Sequence, residues 1–241
     1  GHYSKKMRLT TNQKIIRKRL ISVLHKANTS HIGSCLSVID IIDTIYNIKS
    51  KNDKFILSNG HAAASYYVIL EKYKYLTDID LNSLGVHPDR NIKIDICTST
   101  GSLGQGLPIA LGMALAKSDI DVYCLISDGE AAEGSIWEAL RVYYEKTPRN
   151  LKIIISVNGW GAYDPIESKH LVKRLKGFGL QVITMDGHSS GKINSLLTKR
   201  YTQPSIFFAK TNSEQLPFLK GLKAHYHTMN RNDYQLAIKK F

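Results

Sequence analysis

Cysteine is scarce in this 241-residue chain, and acidic side chains are outnumbered. The three cysteines, Cys35, Cys97 and Cys124, are an odd number with no CxxC spacing, which argues against a zinc knuckle, a dithiol redox pair or a disulfide framework. A reducing cytoplasm is the simplest setting for them. No apolar run approaches the roughly 18–20 residues of a membrane span. Residues 1–6 are basic without a following apolar stretch, so they do not read as a secretory signal. A hydrophobic share of 43% with 22% charged residues is ordinary for a globular chain, which disfavours disorder, collagen and coiled coil.

Thirty-three Lys and Arg stand against 20 Asp and Glu, leaving +13. Such an excess invites a nucleic-acid reading. Only the first 19 residues are crowded with bases (Lys5, Lys6, Arg8, Lys14, Arg17, Lys18, Arg19), and no RNP, zinc-finger or KH signature accompanies them. A solvated basic surface, or attraction for phosphorylated ligands or an acidic partner chain, explains the charge as well.

Periodicity predicts an amphipathic helix from Thr10 or Thr11 to about Ala27, with Ile16, Leu20, Val23, Leu24 and Ala27 on one face and Arg17, Lys18 and Arg19 off it. Further helices are predicted over 36–48, 62–75, 108–116, 135–145, 167–176 and 191–200. Strands are predicted over 54–57, 122–126, 151–157, 180–185 and 205–210. Strands alternating with helices imply an α/β fold, a parallel β-sheet with helices on both faces. Residues 1–10 read as a basic arm or cloning remnant, 11–210 as one domain, and 211–241 as a less regular tail of it.

Ligands of such sheets bind beyond the carboxyl ends of the strands, where three groups of residues stand out. Asp128-Gly129 follows one predicted strand and Asn158 the next, offering the hard oxygens that Mg²⁺ shares with ligand phosphates. A helix starting near Glu133 would add N–H groups toward an anion. Residues 98–106, TSTGSLGQG, hold hydroxyls and glycines suited to phosphate, but in GxxGxG order rather than GxGxxG, and there is no Walker GKS/T. His31, His61 and His87 each sit in a polar or glycine-bearing turn, suited to sugar hydroxyls and proton transfer. Taken singly, each has a plainer reading as a cap, turn or surface residue.

In order, Ser30-His31-Ile32-Gly33, Leu57-Ser58-Asn59-Gly60-His61, Gly85-Val86-His87-Pro88, Thr100 through Gly106, Asp128-Gly129-Glu130-Ala131-Ala132-Glu133-Gly134, Trp137-Glu138-Ala139 and Asn158-Gly159 resemble the amino-terminal half of transketolase, over about residues 12–210. The resemblance implies a thiamine diphosphate-binding (PP-type) fold and transfer of a two-carbon ketol unit from a ketose to an aldose. It implies that Asp128, Asn158 and the Trp160 carbonyl hold Mg²⁺ or Ca²⁺. His61, Gly129 and Glu130 fall at the diphosphate, and Gly101 and Leu103 near the aminopyrimidine. His31 and His87, with His61, match active-site histidines. Glu133 matches an acidic residue near the cofactor at the subunit interface, and His225 or His227 a substrate-channel histidine. The family's pyrimidine-binding domain, with its activating glutamate, is not seen after Phe208. A separate carboxy-terminal subunit is therefore expected, in an α2β2 heterotetramer acting on sugars or sugar phosphates, with no membrane and no nucleic acid. Departures from the pattern are Ser127 before the Asp-Gly, Val157 before the Asn, bulky Trp160, and a short stretch between Tyr75 and Gly85. Competing expectations are a deoxyxylulose-phosphate-synthase-like or decarboxylating thiamine diphosphate enzyme, and a non-catalytic basic scaffold or nucleic-acid-binding subunit.

Overall fold

The structure is a computed structural model that describes residues 7–159 and 167–241. Five short apolar stretches form one fully parallel sheet: β1 Lys54–Leu57, β2 Val122–Ser127, β3 Leu151–Val157, β4 Gln181–Asp186 and β5 Ser205–Lys210. The strand order is β1-β2-β3-β5-β4. Parallel strands need crossover connections, and helices placed there bury both faces of the sheet. Alternation shows this directly. Phe55, Leu57, Tyr123, Leu125, Ile154, Phe207 and Ala209 join one core layer. Ile56, Cys124, Ile126, Ile153, Ile155, Ile206 and Phe208 join the other.

The first layer packs under α1 Thr11–Lys26, α2 Ile32–Ile48, α3 Ala63–Lys72 and, further along the chain, α8 Ser190–Leu197 and α10 Arg231–Lys240. The second packs under α5 Gly106–Ala116, α6 Gly134–Lys146 and α7 Ser168–Gly177. Short α4 Leu81–Leu84 and α9 Lys223–Tyr226 lie in loops. Thr10 caps α1: its hydroxyl accepts from the Gln13 amide at 3.2 Å, and the Gln13 side chain accepts from Thr10 N–H at 3.0 Å. Helix α2 is buried along nearly its whole length, which is why its Ile-rich sequence shows no polar face.

Three sequence expectations change. Helix α2 starts at Ile32 rather than 36, because the polar break ends at a left-handed His31 (φ +67°) that opens the helix. The tail is more regular than expected: Asn230 and Asp233 form a capping box for α10, whose Ala237 and the terminal Phe241 are buried in the first core layer. Arg17 does not lie with the solvated bases. It is wholly buried, and its guanidinium pairs bidentately with Asp40 at 2.9 and 2.5 Å.

Ile154 is fully buried in the central strand. Ile154→Ala is expected to cost about 2–5 kcal/mol and Ile154→Val about 0.5–1.5 kcal/mol in urea unfolding. An alanine variant as stable as the parent would show that the core does not sit on this strand.

Candidate active site

The pairing of β2 with β3 is in register, with Ser127 opposite Ser156. Both strands therefore end at one rim, and Asp128 stands beside Asn158. The Asp128 carboxylate accepts backbone N–H groups from Gly129 (3.0 Å), Asn158 (3.1 Å) and Gly159 (2.9 Å). It is 3% exposed. Burial pushes its carboxyl up to about 7, against the pull of those three donors. A bound cation is the group that would reverse this penalty. Among the described residues no set of three or more His, Cys, Asp or Glu side chains is arranged to hold a metal. A metal here would rest on one carboxylate, amide and carbonyl oxygens, and phosphate oxygens of a ligand, which suits Mg²⁺.

Above this rim lies a cavity of about 240 Å³. Its walls carry His31, His61, His87 and His225, drawn from four separate chain segments. His31 sits at the mouth of α2, and His61 in the short 3-10 turn Gly60–Ala62 that follows β1. Their ring centroids are 5.1 Å apart. His225 arrives from α9, where its carbonyl accepts the His31 N–H at 2.9 Å and its Nδ1 pairs with the Ser34 hydroxyl at 3.0 Å. Burial, and then the neighbouring imidazoles, lower His61 to about 3 and push His31 down. Burial also lowers His225. These three imidazoles are thus neutral near pH 7. His31 Nδ1, His225 Nε2 and Asn59 Oδ1 are buried without a hydrogen-bond partner. Buried polar atoms are nearly always satisfied, so three such atoms around one cavity suit a hydroxyl-rich ligand.

The glycine-rich loop closes the cavity from the side. Gly101 and Leu103 line it, and Gly60 lets the loop approach: a Cβ there would lie 2.8 Å from the Gly101 nitrogen. The Glu130 carboxylate pins this arrangement, accepting from the Ser58 hydroxyl (2.6 Å), Gly104 N–H (3.0 Å) and Ser127 N–H (2.9 Å).

The structure thus brings His31, His61, His87, Gly101, Leu103, Asp128, Gly129 and Asn158 together. Glu130 faces away from the cavity, because its carboxylate is directed into the loop junction. Glu133 is exposed outside it. Helix α6 does not line the cavity either; the 3-10 turn Gly129–Ala132 comes between, and only its Gly129 does. Of the two tail histidines, His225 lines the cavity, whereas His227 is bound to Asp233 at 2.8 Å. Trp160 lies outside the described residues. Sequence reading missed Ser34, Ser37, Asn59, Ser156 and Tyr226 on the walls. Asn59 was legible, two residues before His61 at a strand end; the others were visible only as ordinary helix, strand or tail residues. No Lys or Arg is among the described lining residues, so the positive charge expected to draw phosphorylated ligands is not on these walls.

A family profile described as "Transketolase, thiamine diphosphate binding domain" matches residues 10–213. Human transketolase is 33% identical over 223 residues, covering 81% of this chain and 36% of that protein. One subunit of an apulose-4-phosphate transketolase from Phocaeicola vulgatus is 29% identical over 253 residues, covering 92% of this chain and 90% of that protein. The chain thus spans about a third of the full-length transketolases and nearly all of the bacterial subunit. Among solved structures, Campylobacter jejuni transketolase superposes with TM-score 0.74 at 25% identity, over 95% of this chain and 42% of that one. A Pichia stipitis transketolase complex with sedoheptulose 7-phosphate superposes with TM-score 0.81 at 21% identity, over 93% and 39%.

The half-buried histidines of the cavity tie stability to pH. An unfolded imidazole titrates near 6.5, whereas His61 is held at about 3. Below pH 6.5 the unfolded chain therefore binds more protons, so this contribution is complete above 6.5 and declines as pH falls toward the folded value. His61 alone should remove about 2 kcal/mol between pH 7 and pH 5. Urea midpoints at the two pH values measure the loss, and His61→Asn should flatten the slope. Equal slopes in parent and variant would contradict a neutral His61.

Proposed function

The chain belongs to the transketolase family, matching its thiamine diphosphate-binding domain, and on that premise we propose that it is the amino-terminal subunit of a two-chain transketolase that moves a two-carbon ketol unit from a ketose to an aldose. The observation that carries this reading is the buried Asp128 carboxylate, placed at the joined ends of β2 and β3 beneath four histidines. In this reading Asp128, the Asn158 side chain and the Trp160 carbonyl would hold Mg²⁺ or Ca²⁺, whose charge would offset that of the diphosphate. His61 and Gly129 would bind the diphosphate itself, and Gly101 and Leu103 would flank the aminopyrimidine. Thiamine diphosphate, when bound, supplies the electron sink for making and breaking a carbon–carbon bond next to a carbonyl.

The chain's own residues do the rest. His31, His87 and His225 hold sugar hydroxyls and exchange protons with them, for which the unpaired His31 Nδ1 and His225 Nε2 are available. Glu130 holds the glycine-rich loop in place, and exposed Glu133 faces a partner chain. With no Lys or Arg on the described walls, the phosphate of a sugar-phosphate substrate is left to that partner.

The partner in this proposal carries the pyrimidine-binding domain and the activating glutamate, in an α2β2 assembly. The match over 90% of a bacterial protein named as one subunit of a transketolase supports it. So does α5, whose sequence GLPIALGMALA is apolar on every side yet leaves Leu115 46% exposed. A helix of that kind is normally buried all round. The tail after Thr211 belongs to the same domain in this reading, since His225 completes the site and Phe241 the core. Three free cysteines suit a reducing cytoplasm, and among the described residues no helix is long and apolar enough to cross a membrane.

Calorimetry with thiamine diphosphate and Mg²⁺, on the chain alone and with its partner, tests the assignment; no binding in either case would refute it. Asp128→Asn should weaken Mg²⁺-dependent binding by more than about 100-fold, the upper end seen for groups that merely orient metal ligands. His87→Ala in the two-chain enzyme should lower kcat/KM by about 10²–10⁴-fold. Full turnover by the isolated chain would overturn the two-chain reading.

A further inference from the structure

We propose that Arg17, Asp40, His188 and Gln215, remote from the cavity, act as positioning residues that hold the tail against α2 and so set the His31–His225 pair. The proposal rests on the catalytic reading above for its functional half, but the clamp itself stands on geometry.

Asp40 and Arg17 are 1% and 0% exposed, a doubly hydrogen-bonded ion pair in the core. The Asp40 carboxylate also meets His188 Nδ1 at 2.8 Å. On the far side of that ring, Nε2 accepts the Asn212 backbone N–H at 2.9 Å. An acceptor at Nε2 places the proton on Nδ1, where it is donated to Asp40. The imidazole is thus a neutral bridge of fixed tautomer from a buried carboxylate to the main chain of the tail. His188 is itself fixed, because its carbonyl accepts from the Gln13 side chain at 2.7 Å and its N–H donates to Asp186 at 2.9 Å.

Gln215 makes the second link. Its carbonyl accepts from Arg17 Nε at 2.9 Å, and its amide donates to the carbonyls of Leu36 (2.9 Å) and Asn212 (2.8 Å). The tail from 211 to 215 is therefore tied at both ends to one buried charge network and to α2. Downstream the same tail returns to α2. A Cβ on Gly33 would lie 2.9 Å from the Ser213 carbonyl and 2.7 Å from Ala224 Cβ, so the first turn of α2 is gripped by both ends of the tail. His225 follows directly, with its carbonyl on the His31 N–H and its ring on Ser34. His31 holds a left-handed φ of +67°. Such a conformation persists in a non-glycine residue only where the surroundings enforce it, and the His225 carbonyl of the tail holds the His31 N–H, with the His61 ring packed beside it.

A group of this kind need not exist for stability alone, since buried ion pairs are often no better than apolar residues of similar volume. What it provides is a fixed geometry. Hydrogen exchange on the chain separates the two roles. In His188→Ala the His31 and Asn212 amides should exchange at least about tenfold faster relative to the Ile154 amide in β3, as expected when a supporting hydrogen bond is lost and opening becomes local. His188→Gln, which keeps an acceptor where Nε2 stands, should restore protection at Asn212. Gln215→Leu gives an independent break of the second link and should also speed His31. In the two-chain enzyme, His188→Ala should lower kcat about tenfold, with thiamine diphosphate affinity within about twofold of the parent and recovery in His188→Gln. If all amides, Ile154 included, accelerate by one common factor, the network is a stability element and the proposal is wrong. Local acceleration with unchanged kcat would overturn its catalytic half. A parent pair with no turnover would refute the underlying transketolase reading instead, and leave the exchange result standing.

Discussion

The in-register parallel pairing of β2 with β3 is the constraint on which the site depends. It brings two chain reversals, far apart in sequence, to the same rim. There the Asp128 carboxylate accepts the N–H groups of Asn158 and Gly159. A slip of one residue would turn the apolar residues of β3 to the wrong layers and carry Asn158 away from Asp128. The hydrophobic effect enforces the register: Ile153, Ile155 and Val157 belong to one core layer and Ile154 to the other. Packing energy far larger than any single polar contact thus fixes the position of a carboxylate that would be costly to bury for its own sake.

Around that fixed point the molecule arranges groups at cross purposes with stability. A carboxylate in a dry setting, imidazoles kept neutral by burial, and three unpaired polar atoms all cost folding free energy. The fold tolerates this because the supports of these groups are well satisfied. Glu130 takes three donors at the loop junction, and Asp40 takes Arg17 and His188 behind α2. These two buried carboxylates, each with a side-chain partner, lie outside the cavity wall, and Asp128, whose donors among the described residues are main-chain N–H groups, lies in it.

Much of this was legible from residues. The strands at 151–157 and 205–210 fall where apolar runs place them. The turn residues after β1, β2 and β3 carry the chemistry that parallel sheets put at strand ends. Several things were not legible. Glu130 and Asp128 stand close together in one acidic turn, and nothing local says that one faces the cavity and the other a glycine-rich loop; the Ser58 hydroxyl, 72 positions away, decides it. Arg17 reads as one more base in a basic helix, since its partner Asp40 lies 23 residues on, in an Ile-rich helix that also carries Asp43. His225 and His227 share one short motif, and the capping box of α10 captures His227 through Asp233 while leaving His225 to the cavity.

By itself the sequence determined the alternation of strands and helices, and with it a buried parallel sheet whose loaded turns lie at one edge, because periodicity and turn chemistry are local properties. Only the tertiary structure decided which charges are paired, which histidines stay neutral and which polar atoms lack partners. Those outcomes depend on desolvation and on neighbours supplied by distant segments. The same +13 chain could have lined its cavity with bases; folding placed none of them among the described lining residues and sent Arg17 into the core instead.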